Sequence, residues 1–151
     1  MQISIRKAKK EDLDQIYFIE KLSFKNPYSK SLFYAFLNNP SILFLVCLIN
    51  EKIIGYGVAS LENIKGHIIS LAVHPKFRGK GIGSILLRKI LTFMKREKIL
   101  IVELEVNEKN VSAINFYKKH GFKFLRRIKK YYEDGSNALL LYKNLSGEKE
   151  D

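Results

Sequence analysis

The sequence contains no tryptophan, one cysteine, two methionines and three prolines among its 151 residues. Cys47, standing alone, excludes an intrachain disulfide and a cysteine metal cluster. It lies in an apolar strand-like run with no histidine close by in sequence, so it reads as core and not as an acyl-carrying nucleophile. The longest apolar run, Ile42 to Ile49, has eight residues and is too short to span a bilayer. Residues 1–6 lack the long apolar region of a signal peptide. No stretch is rich in Pro, Gly and Ser together, and there is no internal repeat. These absences predict a cytoplasmic protein with no membrane partner and no metal. The length suits one domain, expected over residues 1–145, with 146–151 as a short polar tail.

What is present is a core-forming composition and an uneven charge. Hydrophobic residues make up 46% and charged residues 28%, which is globular and not disordered. The net charge is +12. Residues 1–75 carry 9 Lys/Arg against 6 Asp/Glu, and residues 76–151 carry 18 against 9. The positive field therefore belongs to the second half. It favours anionic partners such as the ribosome, nucleic acid or a polyphosphate ligand, or it is a solvated lysine-rich surface.

The periodicity gives an element order of β-α-α-β-β-β-α-β-α-β-β. Ile3 and Ile5 alternate with polar residues as a first strand over 2–7. Leu13, Ile16, Tyr17 and Ile19 follow helical spacing behind the acidic pair Glu11 and Asp12. Asn26-Pro27-Tyr28-Ser29 breaks that helix, and Ser29 can cap a second one to about Leu37. Residues 42–49 and 53–61 read as a hairpin, and 66–73 as a further strand. A helix carries Ile82, Leu86, Ile90 and Met94, and 99–106 is a strand. Asn110 can open a helix that runs through His120 and ends at Gly121, a residue suited to left-handed closure. Residues 122–132 and 137–144 read as a closing hairpin around Asp134-Gly135. Hairpins mixed with strand–helix–strand crossovers imply an α/β (α+β) fold with one mixed sheet.

The sharpest motif is Arg78-Gly79-Lys80-Gly81-Ile82-Gly83-Ser84, between a strand and a helix. Glycines let backbone approach a bulky anion, and a helix start offers free N–H groups and a positive dipole end. Lys76, Arg78 and Lys80 add charge, which makes a pyrophosphate cradle or, read plainly, a glycine-rich turn. A Walker loop would need Gly-Lys-Ser/Thr at its end, and a dinucleotide fingerprint a third glycine after the first strand. Neither fits. The run Ile69 to Gly83, followed by Asn110-Val111-Ser112-Ala113-Ile114-Asn115-Phe116-Tyr117-Lys118-Lys119-His120-Gly121-Phe122, resembles the acetyl-CoA-binding signature of the GNAT family of N-acetyltransferases. The resemblance runs from Ile3 to Leu141 and implies a central mixed sheet of about seven strands with about four helices. It implies acetyl-CoA as cosubstrate and no metal. Leu71, Ala72 and Val73 would pair with the pantetheine arm as an added strand does. Arg78, Gly79, Lys80, Gly81, Ile82, Gly83 and Ser84 would hold the pyrophosphate, and Asn110 and Tyr117 would contact the cosubstrate.

Within that family the chain is similar to the RimI-type acetyltransferases of protein N-termini. The similarity lies in residues 24–29, Leu104-Glu105-Val106 and Tyr131-Tyr132-Glu133-Asp134-Gly135. Tyr28 departs from the tryptophan usual in that group. Acetyl transfer from a thioester to an amine needs a base for the ammonium and benefits from an acid for the thiolate. Glu103 and Glu105 share one face of their strand, and Glu105 is nearer its end. The resemblance makes Glu105 the general base, acting through water, and Tyr117 the general acid. The alternatives are a lysine-paired strand glutamate and a core tyrosine. Pro27, Tyr28, Tyr131 and Tyr132 would wall the peptide groove. An α-amine has a pKa of about 8 against about 10.4 for lysine, so a modest carboxylate base suits a protein N-terminus better. The expected function is N-terminal acetylation, a ribosomal protein being one candidate acceptor. The basic run Arg126, Arg127, Lys129, Lys130 could serve ribosome association. Acetylation of lysine or a small amine, and a non-catalytic ribosome- or RNA-binding relative, are the rival readings. His74 at a strand end and His120 at a helix end read as loop and cap residues.

Overall fold

A computed structural model describes residues 2–147. The proposed tail therefore lies outside the described residues from 148 onward. Seven strands form one sheet in the order β1-β2-β3-β4-β5-β7-β6. They are β1 (Ile3–Lys7), β2 (Ile42–Ile49), β3 (Lys52–Glu62), β4 (Lys65–Val73), β5 (Ile101–Asn107), β6 (Lys123–Ile128) and β7 (Ala138–Asn144). Four α-helices flank the sheet: α1 (Leu13–Ser23), α2 (Lys30–Leu37), α3 (Ile82–Arg96) and α4 (Val111–Lys119). All adjacent pairs are antiparallel except β4–β5, which is parallel. This is the mixed sheet that the element order predicts.

Alternation along β2 divides the core in two. Phe44, Val46 and Leu48 face α1 and α2, where Ile16, Ile19 and Phe33 are buried. Leu43, Leu45 and Cys47 face α3 and α4. The apolar stripe of α3, Ile82, Leu86, Ile90 and Met94, is at most 1% exposed. Each such side chain contributes about 1.5–3 kcal/mol by leaving water. Gly57 lets α3 approach β3 closely, since a Cβ there would stand 2.7 Å from Ile90 Cδ1. Ser29 caps α2 by accepting from the Leu32 amide at 3.1 Å, and Asn110 caps α4 by accepting from the Ala113 amide at 3.1 Å.

The closing hairpin differs from its sequence reading. β6 ends at Ile128, and Lys130 takes a left-handed φ of 52°. Tyr131 and Tyr132 consequently lie outside the sheet, in the loop that joins β6 to β7, and not at the end of a strand running to 132.

Candidate functional site

β4 and β5 are paired over only three residue pairs, Lys65↔Ile101, Gly66↔Val102 and His67↔Glu103. Beyond them the two strands separate. A bulge in β4 adds to the divergence: Val58 of β3 opposes Ser70 and Ala59 opposes Ile68, which leaves Ile69 extra. A cleft of about 900 Å³ opens in the gap, lined by Ile68–Leu71 of β4 and Leu104–Asn107 of β5. Among the described residues, the β5-facing edge of β4 past His67 has no strand beside it, so it offers unpaired backbone to an extended ligand arm.

At the end of β4 the chain makes a short 3₁₀ turn, Pro75–Phe77, and enters the glycine loop. Gly79 and Gly81 have φ of +76° and +81°, and a Cβ on either would meet nothing within 4 Å. Both α-carbons therefore face open space. Gly81 is the N-cap of α3, whose first amides lack intrahelical acceptors. Nearby, the Ser84 hydroxyl and His120 Nε2 are 2.8 Å apart. The cradle fits a pyrophosphate. Arg78 is turned away from it: Nε donates to the Val73 carbonyl at 2.9 Å and a terminal nitrogen donates to Ser23 Oγ at 2.9 Å.

Glu105 and Tyr117 both line the cleft. Glu105 Oε1 lies 2.6 Å from His67 Nε2. Burial raises the proton affinity of Glu105. The His67 hydrogen bond and charge, its own backbone and the Tyr131 hydroxyl outweigh that, and the carboxyl is held below its ordinary range. Glu103, on the same face, is instead paired with Lys65 at 2.5 Å. On the opposite wall, Tyr117 of α4 is buried against Phe116 and Phe122, at ring-centroid distances of 5.1 and 5.5 Å. Burial pushes its phenol well above the usual value, so it keeps its proton. Asn110 lines the cleft beside it. His67 lies outside both sequence motifs, unlike His74 and His120. The signal available was a histidine on the strand that pairs with the glutamate strand.

The entrance is walled by residues 23–28 on one side and 131–134 on the other. The rings of Tyr131 and Tyr132 stack edge-on with centroids 4.9 Å apart. Burial, then the Glu105 charge, pushes the Tyr131 phenol up to about 12. Tyr28 is raised by burial and by the charges of Glu20 and Glu105. Lys25 reaches across to Asp134 at 3.1 Å and ties the two walls. The remaining candidates lie elsewhere. His74 accepts from the Lys76 amide at 3.1 Å and caps the 3₁₀ turn, and Cys47 is fully buried. Among the described residues there is no cluster of three His, Cys, Asp or Glu that could hold a metal, and no helix long and apolar enough to cross a membrane.

The acetyltransferase (GNAT) family profile matches residues 12–122. An N-alpha-acetyltransferase of Sulfurisphaera tokodaii is 35% identical over 150 residues, which cover 91% of this chain and 90% of that protein. A putative [ribosomal protein bS18]-alanine N-acetyltransferase of Bacillus subtilis is 32% identical over 141 residues, covering 92% and 93%. The crystal structure of Ard1 from Thermoplasma volcanium superposes with a TM-score of 0.90 at 30% identity, covering 95% of this chain and 98% of that one. With its glycine cradle and splayed strands in the matched region, this chain belongs to the GNAT family of acetyltransferases.

Proposed function

We propose that the protein transfers the acetyl group of acetyl-CoA to the N-terminal α-amine of protein substrates. The observation that carries this reading is the gap between β4 and β5. It holds an ionised carboxylate, Glu105, on one wall and a protonated phenol, Tyr117, on the other. The names of the S. tokodaii and B. subtilis relatives support the choice of acceptor, a ribosomal protein among the candidates.

Acetyl-CoA supplies an activated thioester carbonyl; the chain supplies everything else. The open β4 edge at Leu71, Ala72 and Val73 takes the pantetheine arm. The loop Gly79–Ser84 and the start of α3 take the pyrophosphate, with Lys80 adding charge. Asn110 orders the start of α4 beside the cleft. Glu105 accepts the ammonium proton through a water, and His67 shares it across their hydrogen bond. Tyr117 directs its hydroxyl proton toward the leaving sulfur. Burial keeps that phenol protonated, so its hydroxyl is present as a donor for the sulfur. Pro27, Tyr28, Tyr131 and Tyr132 form the groove for the first peptide residues. The positive second half of the chain, Arg126 and Lys129 included, gives an anionic assembly such as the ribosome a surface to approach.

The test uses acetyl-CoA with two peptides. One has a free N-terminus and no lysine; the other has a blocked N-terminus and an internal lysine. Transfer to the first alone is expected. Transfer to the second alone would replace the α-amine reading with lysine acetylation. Transfer to neither, with tight acetyl-CoA binding, would exclude both.

A further inference from the structure

Glu20, on the inward face of α1, is 1% exposed yet carries a carboxylate. Burying such a group is costly unless every lone pair is met, and an apolar residue of similar volume is often at least as stable. Its partners come from three other parts of the chain. The Tyr28 backbone amide donates to Oε2 at 2.9 Å. The Ser70 hydroxyl donates to Oε1 at 2.9 Å, and the Tyr56 hydroxyl donates to the same oxygen. Tyr56 is itself fully buried in β3, beneath the cleft, and 3.3 Å from Ser70. Burial raises the proton affinity of Glu20 against these bonds.

The network joins the bulged stretch of β4 to the segment between α1 and α2. That segment presents Tyr28, whose ring packs edge-on against Phe33 and Phe36, each at 6.4 Å between centroids, and which lines the cleft with Glu105. We infer that Glu20 is a positioning residue for the acceptor: it fixes the Tyr28 backbone to β3 and β4 and so sets the width of the peptide groove. This rests on the reading of that groove as the peptide site. Glu20 performs no proton transfer in this scheme.

Glu20→Leu removes all three bonds while keeping bulk. The peptide KM should rise about tenfold, the worth of one lost hydrogen bond, with the acetyl-CoA dissociation constant within about twofold of wild type. The Tyr28 amide should exchange with solvent at least about tenfold faster. Glu20→Gln should restore both readouts to within about threefold, because the Tyr56 and Ser70 hydroxyls can turn to accept. Tyr56→Phe, which touches neither substrate, should move them the same way by about threefold and serves if Glu20→Leu does not fold. Unchanged Tyr28 exchange in the folded variants, or peptide and acetyl-CoA constants that shift together, would overturn the inference. Wild-type enzyme that transfers to neither peptide overturns the groove reading on its own, separately from the exchange result.

Discussion

Replacing Glu105 by glutamine keeps the shape of the side chain and removes the proposed proton acceptor. General base catalysis by a positioned group is worth about a hundredfold to ten-thousandfold. The structure narrows that range. Glu103 shares the face but is held by Lys65 at 2.5 Å, so it cannot take over. His67 remains 2.6 Å from the substituted atom and can accept part of the load. Glu105→Gln should therefore lower kcat by about a hundredfold, near the lower limit, and Glu105→Gln with His67→Ala by up to about ten-thousandfold. The acetyl-CoA dissociation constant should stay within about threefold in both, since neither residue belongs to the glycine cradle. Glu103→Gln is the control and should leave kcat within about twofold of wild type. Initial rates with the lysine-free peptide, and calorimetric titration with acetyl-CoA, supply the numbers. A Glu105→Gln enzyme within tenfold of wild-type kcat, or a large loss in Glu103→Gln alone, would refute the assignment.

Tyr117→Phe should lower kcat by at least about tenfold with little change in acetyl-CoA affinity, and equal loss in both constants would mark the hydroxyl as a binding contact only. Gly81→Ala meets no steric obstacle within 4 Å but must hold φ near +81°. It should cost about 1–2 kcal/mol in thermal or urea unfolding, and weaken acetyl-CoA by more than that strain alone explains. Asp12 is buried, accepts from Arg6 at 2.7 and 3.0 Å and from the Lys9 amide at 2.7 Å, and its carboxyl is lowered by these contacts against the opposing effect of burial. A depressed folded value means stability present above the unfolded pKa of about 3.9 and lost as pH falls through the folded one. Wild-type Tm should thus fall more steeply below pH of about 4 than that of Asp12→Asn, and parallel curves would refute the contribution.

The element order was legible in the sequence because each element carries its own signal. The alternating Ile3 and Ile5, the stripe on α3 and the caps Ser29 and Asn110 all act within a few residues. The cradle was legible for the same reason, with glycines and helix start adjacent in the chain. The extent of β6 was not: residues 129–132 continue a strand-like pattern, and the left-handed Lys130 that ends it has no distinctive residue type. His67 and Glu20 escaped for a different reason. Their partners lie 38 residues away at Glu105, and 36 and 50 away at Tyr56 and Ser70. Pattern reading within a window carries no term for such pairs. Arg78 was placed at the cradle by its neighbours in sequence, whereas its guanidinium folds back to Val73 and Ser23.

The three pairs between β4 and β5 make the sheet two ribbons hinged at one line. His67 is the last β4 residue on that line, and Glu105 stands two residues beyond it on the diverging partner. Their 2.6 Å contact therefore spans the crotch of the hinge. Past that line the strands part, so the pair stands at the narrow end of the gap. The Glu105 carboxylate therefore sits where the sheet stops being one surface and becomes two.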